Sequence, residues 1–215
     1  MASTFEESSF EKKLHSALAF DLPYSERSSS RVPGLGKEKS SLPSLKGTPS
    51  AVLALFAQTE SGISLLLTQR SDTLENHKGQ MAFPGGVRDA SDVDNNFTAL
   101  RETEEEVGIP REKVRVLGTL PDLWTPSGFW ITPIVGYLKS GVEEVPLKIN
   151  RTEVASAIWI PLSTLRDPKV YSCESREYRG VLFPIHVYQV GTYRIWGATG
   201  AMIKNLLDRL AGVID

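Results

Sequence analysis

Residues 83–109 constrain the chain most: Phe-Pro-Gly-Gly, a polar loop, then a short stretch crowded with glutamate that Gly108 and Pro110 bring to a stop. Each of Asp94, Asn95 and Asn96 is a candidate N-cap for a helix opening before Phe97, because a short polar side chain there accepts from the first free amides. Gly108 followed by Pro110 ends that helix. At about 100° per residue, Glu102, Glu105 and Glu106 fall on one arc, while Leu100 and Val107 face a core. Like carboxylates so placed oppose one another by about 0.2–0.5 kcal/mol per pair even when exposed. Taken alone, the helix fits either a solvated acidic face or a set of oxygen ligands for a hard divalent cation, which Mg²⁺ commonly shares between carboxylates and phosphate. The Gly-Gly turn before it and Arg101 within it favour the second.

The rest of the chain bounds the partners. With 215 residues, 40% of them hydrophobic, it can bury one good core with appendages. A net charge of −2 gives no footprint for nucleic acid or an anionic membrane. The single cysteine, Cys173, excludes an internal disulfide and suits a reducing compartment. No run approaches the roughly 18 apolar residues of a membrane span. The N-terminus lacks an apolar leader, and the C-terminal Gly-Val-Ile-Asp is not a peroxisomal address. A cytoplasmic location is expected.

Three segments are expected. Residues 1–20 read as a detached helix, with Ser8 and Glu11 at capping-box spacing and an apolar stripe of Phe10, Leu14, Ala17 and Leu18. It would pack on the main domain or on a second copy in a homodimer. Residues 21–49 have the Ser, Pro, Gly and Lys content of a linker. Residues 50–215 form the domain proper. Strands are expected at 51–57, 63–69, 114–120, 131–138 and 154–160, a short helix after Pro161, a hairpin of 181–190 with 193–196 turning at Gly191, and an amphipathic closing helix at 199–210. Strands interleaved with helices indicate an α/β fold, with helices on both faces of a mixed sheet.

Arg101, Glu102, Glu105, Glu106, Gly108 and Ile109 match the second half of the Nudix box, G-x(5)-E-x(7)-R-E-U-x-E-E-x-G-U. The first half departs from it: Val93 stands at the strict glutamate position, and Asp92 sits six residues after Gly86, so one extra loop residue after Asp92 accounts for the shift. Thr103 stands where an aliphatic residue is usual. The stretch resembles a variant Nudix box. That resemblance implies a Nudix-type α/β/α sandwich, metal ligation by Glu102, Glu105 and Glu106 with the carbonyl of Gly85 or Gly86, and a supporting role for Arg101, which orients a glutamate. A cation so held would screen the phosphate charge and polarise a phosphoryl oxygen. Glu105 is the first candidate for the base. Glu153 is its rival, since glutamates before the matching strand approach the metal in some Nudix proteins.

Residues 66–86 are similar to the coenzyme A pyrophosphatase signature LLTxR(S/A)x(3)Rx(3)Gx(3)FPGG, at Leu66, Leu67, Thr68, Arg70, Ser71, Gly79, Phe83, Pro84, Gly85 and Gly86. Glu75 departs from it, reversing the expected charge. Thr125–Phe129 and Ile195–Thr199 also look like that subfamily. The resemblance implies Mg²⁺- or Mn²⁺-dependent cleavage of the diphosphate of coenzyme A or acyl-CoA, giving adenosine 3′,5′-bisphosphate and (acyl-)4′-phosphopantetheine. ADP-ribose, a nucleotide sugar or another nucleoside diphosphate derivative is the alternative, and a non-catalytic nucleotide-binding module the third reading. Arg70, Lys78 and Arg88 are candidate phosphate ligands. Phe83, Trp124 and Phe129 are candidate contacts for the rest of the substrate, with Trp130 in the same aromatic loop. With no histidine–cysteine cluster, a zinc site is not expected.

Overall fold

The computed structural model describes residues 9–18, 47–71, 79–178 and 181–211. Its centre is strand β1 (Thr48–Thr59), whose middle is almost wholly apolar because both faces of the sheet are covered. β1 turns through Glu60 and Ser61 into β2 (Gly62–Arg70) and pairs with it antiparallel. On its other edge it runs parallel to β7 (Phe129–Leu138) along nine residue pairs. β3 (Met81–Ala82) and β8 (Val154–Pro161) join β2; β4 (Gly85–Val87) joins β1; β5 (Val114–Thr119) and β6 (Leu123–Trp124) join β7. One parallel pair among antiparallel ones makes the sheet mixed, as expected.

Alternation along β1 divides the core in two. Ala51, Leu53, Leu55 and Ala57 face one cluster with Ala99 and Val107 of helix α2 (Asn95–Val107). Ala54 and Phe56 face the other, with helix α1 (Ser9–Leu18), the short α3 (Leu162–Arg166) and the closing α4 (Gly197–Leu210). The result is an α/β/α sandwich. Leu14 and Leu18 of α1 are in the core, and Phe10 meets Phe56 edge-on with ring centroids 5.5 Å apart. The helix therefore packs on its own domain rather than standing apart; burying one such leucine stabilises by about 1.5–3 kcal/mol. Most of the expected linker lies outside the described residues, and β1 begins at Thr48, two residues before the expected domain start.

Two expectations need correcting. A strand of polar sequence, β9 (Tyr171–Tyr178), was not foreseen; it pairs antiparallel with β10 (Val181–Val190), and β11 (Tyr193–Ile195) completes a separate three-stranded sheet. Residues 172–177 are all exposed, so β9 carries no apolar signal. Gly85-Gly86 is not a turn but the body of β4, lying against Val52 and Ala51. Gly85 has φ +150°, and a Cβ there would sit 2.4 Å from the Ala51 carbonyl oxygen. The glycine is needed for the close approach of two strands. Among the described residues no helix is long and apolar enough to cross a membrane.

Candidate metal and diphosphate site

Helix α2 carries the site, and its ends are fixed locally. Asp94 takes the N-cap, accepting from the Phe97 amide at 2.7 Å, and Gly108 closes the C-terminus at φ 72° with its amide on the Glu104 carbonyl. The inner face of α2 lies on β1 and β4, and there the carboxylates gather.

Glu102, Glu106 and Glu153 bring one carboxylate oxygen each within 4.8 Å of one another. Glu106 is 4% exposed, and its Oε2 is buried without a hydrogen-bond partner. Burial first, then the charges of Glu102 and Glu153, push its pKa up to about 8; Arg70 and a backbone hydrogen bond from Gly85 pull the other way. Glu102 is shifted up as well, by burial first, with Arg101 opposing. Three partly desolvated carboxylates facing one point repel unless a cation joins them. The orphaned oxygen and the all-oxygen donor set fit a hard divalent ion of the Mg²⁺ or Mn²⁺ type.

Glu153 reaches the cluster through contacts that spacing does not reveal. The Lys148 amide bonds the Val107 carbonyl at 2.8 Å and the Asn150 amide bonds the Glu106 carbonyl at 2.9 Å. The Asn150 Nδ2 then donates to Glu153 Oε1 at 3.1 Å. Lys148, Asn150 and Glu153 are thus sewn to the C-terminal end of α2. Asn150 is a positioning residue missed in the sequence, because its partners are more than forty positions away or lie around its own turn.

Arg101 is held outside the cluster. Its Nε and Nη2 donate to Asp92 Oδ1 and Oδ2, both at 2.9 Å, a two-point grip of the kind guanidinium makes with carboxylate. Asp92 also accepts from Thr98 Oγ1 at 2.8 Å and the Asp89 amide at 2.9 Å. Its side chain is fully buried, and the arginine beside it holds its pKa well below the usual carboxylate range. Asp92, six residues after Gly86, is thereby the acid that grips Arg101, while Val93, the extra loop residue, is 77% exposed. The remaining Nη1 of Arg101 is shared between Glu102 Oε1 at 2.9 Å and Glu105 Oε2 at 3.1 Å. Glu105 is therefore half-exposed at the rim, one step from the three carboxylates that converge.

Gly86 lies under Glu102: a Cβ at Gly86 would come within 2.5 Å of the Glu102 carboxylate. The conflict is with the tip of a flexible side chain, so Gly86→Ala should change the melting temperature by no more than a few degrees. It should nonetheless lower turnover about tenfold or more by turning Glu102 aside. Thermal melting and steady-state rates measured together check this.

The other proposed substrate contacts divide. Arg70 ends β2 beside the cluster, with its Nε buried and lacking an acceptor. Arg88 Nη2 donates to the carbonyls of Asp92 and Val93, both at 3.1 Å, so one end of its guanidinium braces the loop. Phe83 is 2% exposed and belongs to the core, which removes it from substrate contact. Trp124, Phe129 and Trp130 are half-buried on the β6–β7 ribbon, and Asp122 accepts from Trp130 Nε1 and Thr132 Oγ1. Asn95 Nδ2 donates to that Thr132 hydroxyl at 2.9 Å, tying the ribbon to the start of α2. Lys78, with Glu75 and His77, lies outside the described residues.

The NUDIX domain profile matches residues 47–178. Over 147 residues the chain is 43% identical to the Nudix hydrolase NudL of Photorhabdus laumondii, covering 68% of this chain and 77% of that protein. The NudL of Yersinia enterocolitica is 42% identical over 148 residues, covering 68% and 74%. A MutT/nudix family protein from Enterococcus faecalis aligns over 95% of this chain and 74% of its own, with a TM-score of 0.48 and 15% identity. On the extent of the profile match and the identity to the NudL proteins, the chain belongs to the Nudix family and is a Nudix hydrolase.

Proposed function

We propose that the protein cleaves the diphosphate of coenzyme A or an acyl-CoA, with Glu102, Glu106 and Glu153 holding Mg²⁺ or Mn²⁺ and the backbone at Gly86 lining the same space. The observation that carries this reading is the convergence of three carboxylates on one point, one of them with a buried, unpartnered oxygen. The bound cation would supply charge screening and Lewis acidity toward a phosphoryl oxygen. Arg101 orients Glu102 while its other donors are anchored on Asp92. Glu105, at the solvent edge, would take the proton of the attacking water on its carboxylate. Trp124, Phe129 and Trp130 offer an apolar wall for the adenine or the pantetheine arm.

Glu105 and Glu153 can be told apart. Glu153→Gln is expected to weaken Mn²⁺ binding about tenfold or more along with turnover, whereas Glu105→Gln should lower kcat and leave Mn²⁺ affinity nearly intact. The reverse pattern, read by calorimetry beside the kinetics, would exchange the two roles.

The substrate is decided by products separated after incubation with Mg²⁺. Coenzyme A should yield adenosine 3′,5′-bisphosphate and 4′-phosphopantetheine, faster than dephospho-coenzyme A or ADP-ribose is cut. Glu75, which departs from the coenzyme A signature, favours the second reading, a nucleoside diphosphate derivative without the 3′-phosphate. Faster cleavage of ADP-ribose would establish that reading in place of the first.

A further inference from the structure

We propose that the outer edge of β9 docks a second copy of this chain, the two strands pairing antiparallel about Ser175 into one sheet with three strands from each copy. The carboxylate cluster takes no part in this contact, so the proposal stands apart from the substrate reading.

The edge is open and regular. Among the described residues β9 pairs with β10 alone, and residues 172–177 are all exposed. Edge strands are ordinarily blunted by proline, lysine or a bulge. β9 contains no proline, lysine or glycine. Its register with β10 runs from Tyr171 opposite Tyr188 to Tyr178 opposite Val181 without a shift, whereas β2–β8 and β5–β7 are both interrupted.

The ladder fixes which backbone groups that edge offers. The Gln189 amide donates to the Val170 carbonyl at 2.7 Å, and bonded pairs recur at every second residue of an antiparallel ladder. Ser172, Glu174 and Arg176 therefore bond inward to β10. Pro184, which has no N–H, falls opposite Ser175, where none is needed. Cys173, Ser175 and Glu177 turn their amides and carbonyls to the outer edge, which no strand among the described residues covers.

Side chains select the occupant and the register. Glu174 and Arg176 share one face of the strand. Arg194 Nη2 holds Glu174 Oε1 at 2.7 Å, and the Arg176 and Arg194 guanidinium carbons lie 5.1 and 5.2 Å from the Trp196 ring centroid. A two-fold axis at Ser175 sets Glu174 of each copy opposite Arg176 of the other, in non-hydrogen-bonded pairs, where side chains come closest. A carboxylate that holds one guanidinium has lone pairs for another. Moving the axis one residue either way opposes Glu174 to Glu174 or Arg176 to Arg176, which like charge disfavours. Opposite charges flanking Ser175 thus make the edge complementary to itself.

Sedimentation equilibrium of the full chain should show a reversible monomer–dimer equilibrium. Glu174→Arg alone and Arg176→Glu alone should each weaken self-association about tenfold or more. An equimolar mixture of the two variants should associate at near native strength, because each copy then meets the opposite charge. On a Cys173→Ser background, Ser175→Cys should form an intermolecular disulfide on mild oxidation, since bonded pairs lie about 5.5 Å apart at Cα, within disulfide reach. A native chain that stays monomeric at every concentration, or a mixture no stronger than the single variants, overturns the proposal and leaves the edge to an extended segment of another protein. Faster cross-linking through Cys173 of the native chain overturns it as well, since this register sets Cys173 against Glu177. If a charge variant does not fold, absence of the Ser175→Cys cross-link decides against the proposal.

Discussion

Glu106→Gln is expected to lower turnover by about three orders of magnitude, some 4 kcal/mol of barrier, while making the metal-free protein more stable at alkaline pH. Both effects come from the buried carboxylate. Glu106 carries an oxygen with no partner in a desolvated place, and that burial raises its pKa to about 8 from an ordinary 4.5. The sign follows from which state keeps the proton. The folded, metal-free protein holds it where the unfolded chain has released it, so the stabilisation is complete below about pH 4.5 and is lost as pH rises through about 8. The swing amounts to a few kcal/mol, on the order of the shift itself. Glutamine has no charge to desolvate, so the melting temperature of the variant should be flatter across that window. Mn²⁺ should raise the melting temperature of the native protein most at the alkaline end and that of the variant hardly at all. Activity within about tenfold of native in Glu106→Gln would remove the carboxylate cluster from the reaction.

The second large effect is expected at Asp92, which touches neither metal nor substrate in the proposed site. Asp92→Ala takes away the two carboxylate oxygens that grip the Arg101 Nε and Nη2, leaving Nη2 the Val87 carbonyl at 3.4 Å, together with the nearer partner of the Thr98 hydroxyl. The freed guanidinium then has Glu102 and Glu105 as its nearest acids, and it already shares Nη1 with both. Turnover should fall about a hundredfold, with weaker Mn²⁺ binding, because Glu102 becomes the counter-ion of an arginine that formerly only oriented it. Stability should also lose an acid limb. The pKa of Asp92 is depressed on folding, so its contribution is present above the ordinary carboxylate range and disappears as pH falls through the folded value. Melting curves of Asp92→Ala should therefore depend less on pH in acid than those of the native protein. Native kinetics in this variant would show the arginine to be held adequately without its anchor.

How much of this could be read from the chain depended on how local each cause is. Helix α2 was legible almost completely, because its caps, its glutamates and its stop signal all lie within about twenty residues. The sheet was legible where strands are buried on both faces, and β9 was not, because its side chains meet water and its pairing partner alone makes it a strand. Phe83 adjoins the glycines of the motif, but the strand path turns its ring into the core. Arg88 was a candidate phosphate ligand because it flanks the motif, and the bonds of its Nη2 to carbonyls of the following loop had no signal in the sequence. Glu153 entered the sequence reading only as a rival to Glu105 for the base, and its place beside Glu106 follows from backbone bonds of Lys148 and Asn150 that spacing does not reveal. Counting placed Asp92 six residues after Gly86 with one added loop residue, Val93, which is exposed, but its two-point grip on Arg101 was visible only in the structure.

Those backbone bonds from Lys148 and Asn150 also separate two properties of the chain that often travel together. The distance of Glu153 from Glu106 is set from the helix end through these bonds and not along the span from β7, whose own Val145 is buried in the core beside Val107 of the same helix. Changes in that span are thereby separated from the spacing of the carboxylates only so long as Val145, with Val142 and Leu147 packed around it, keeps its place in the core.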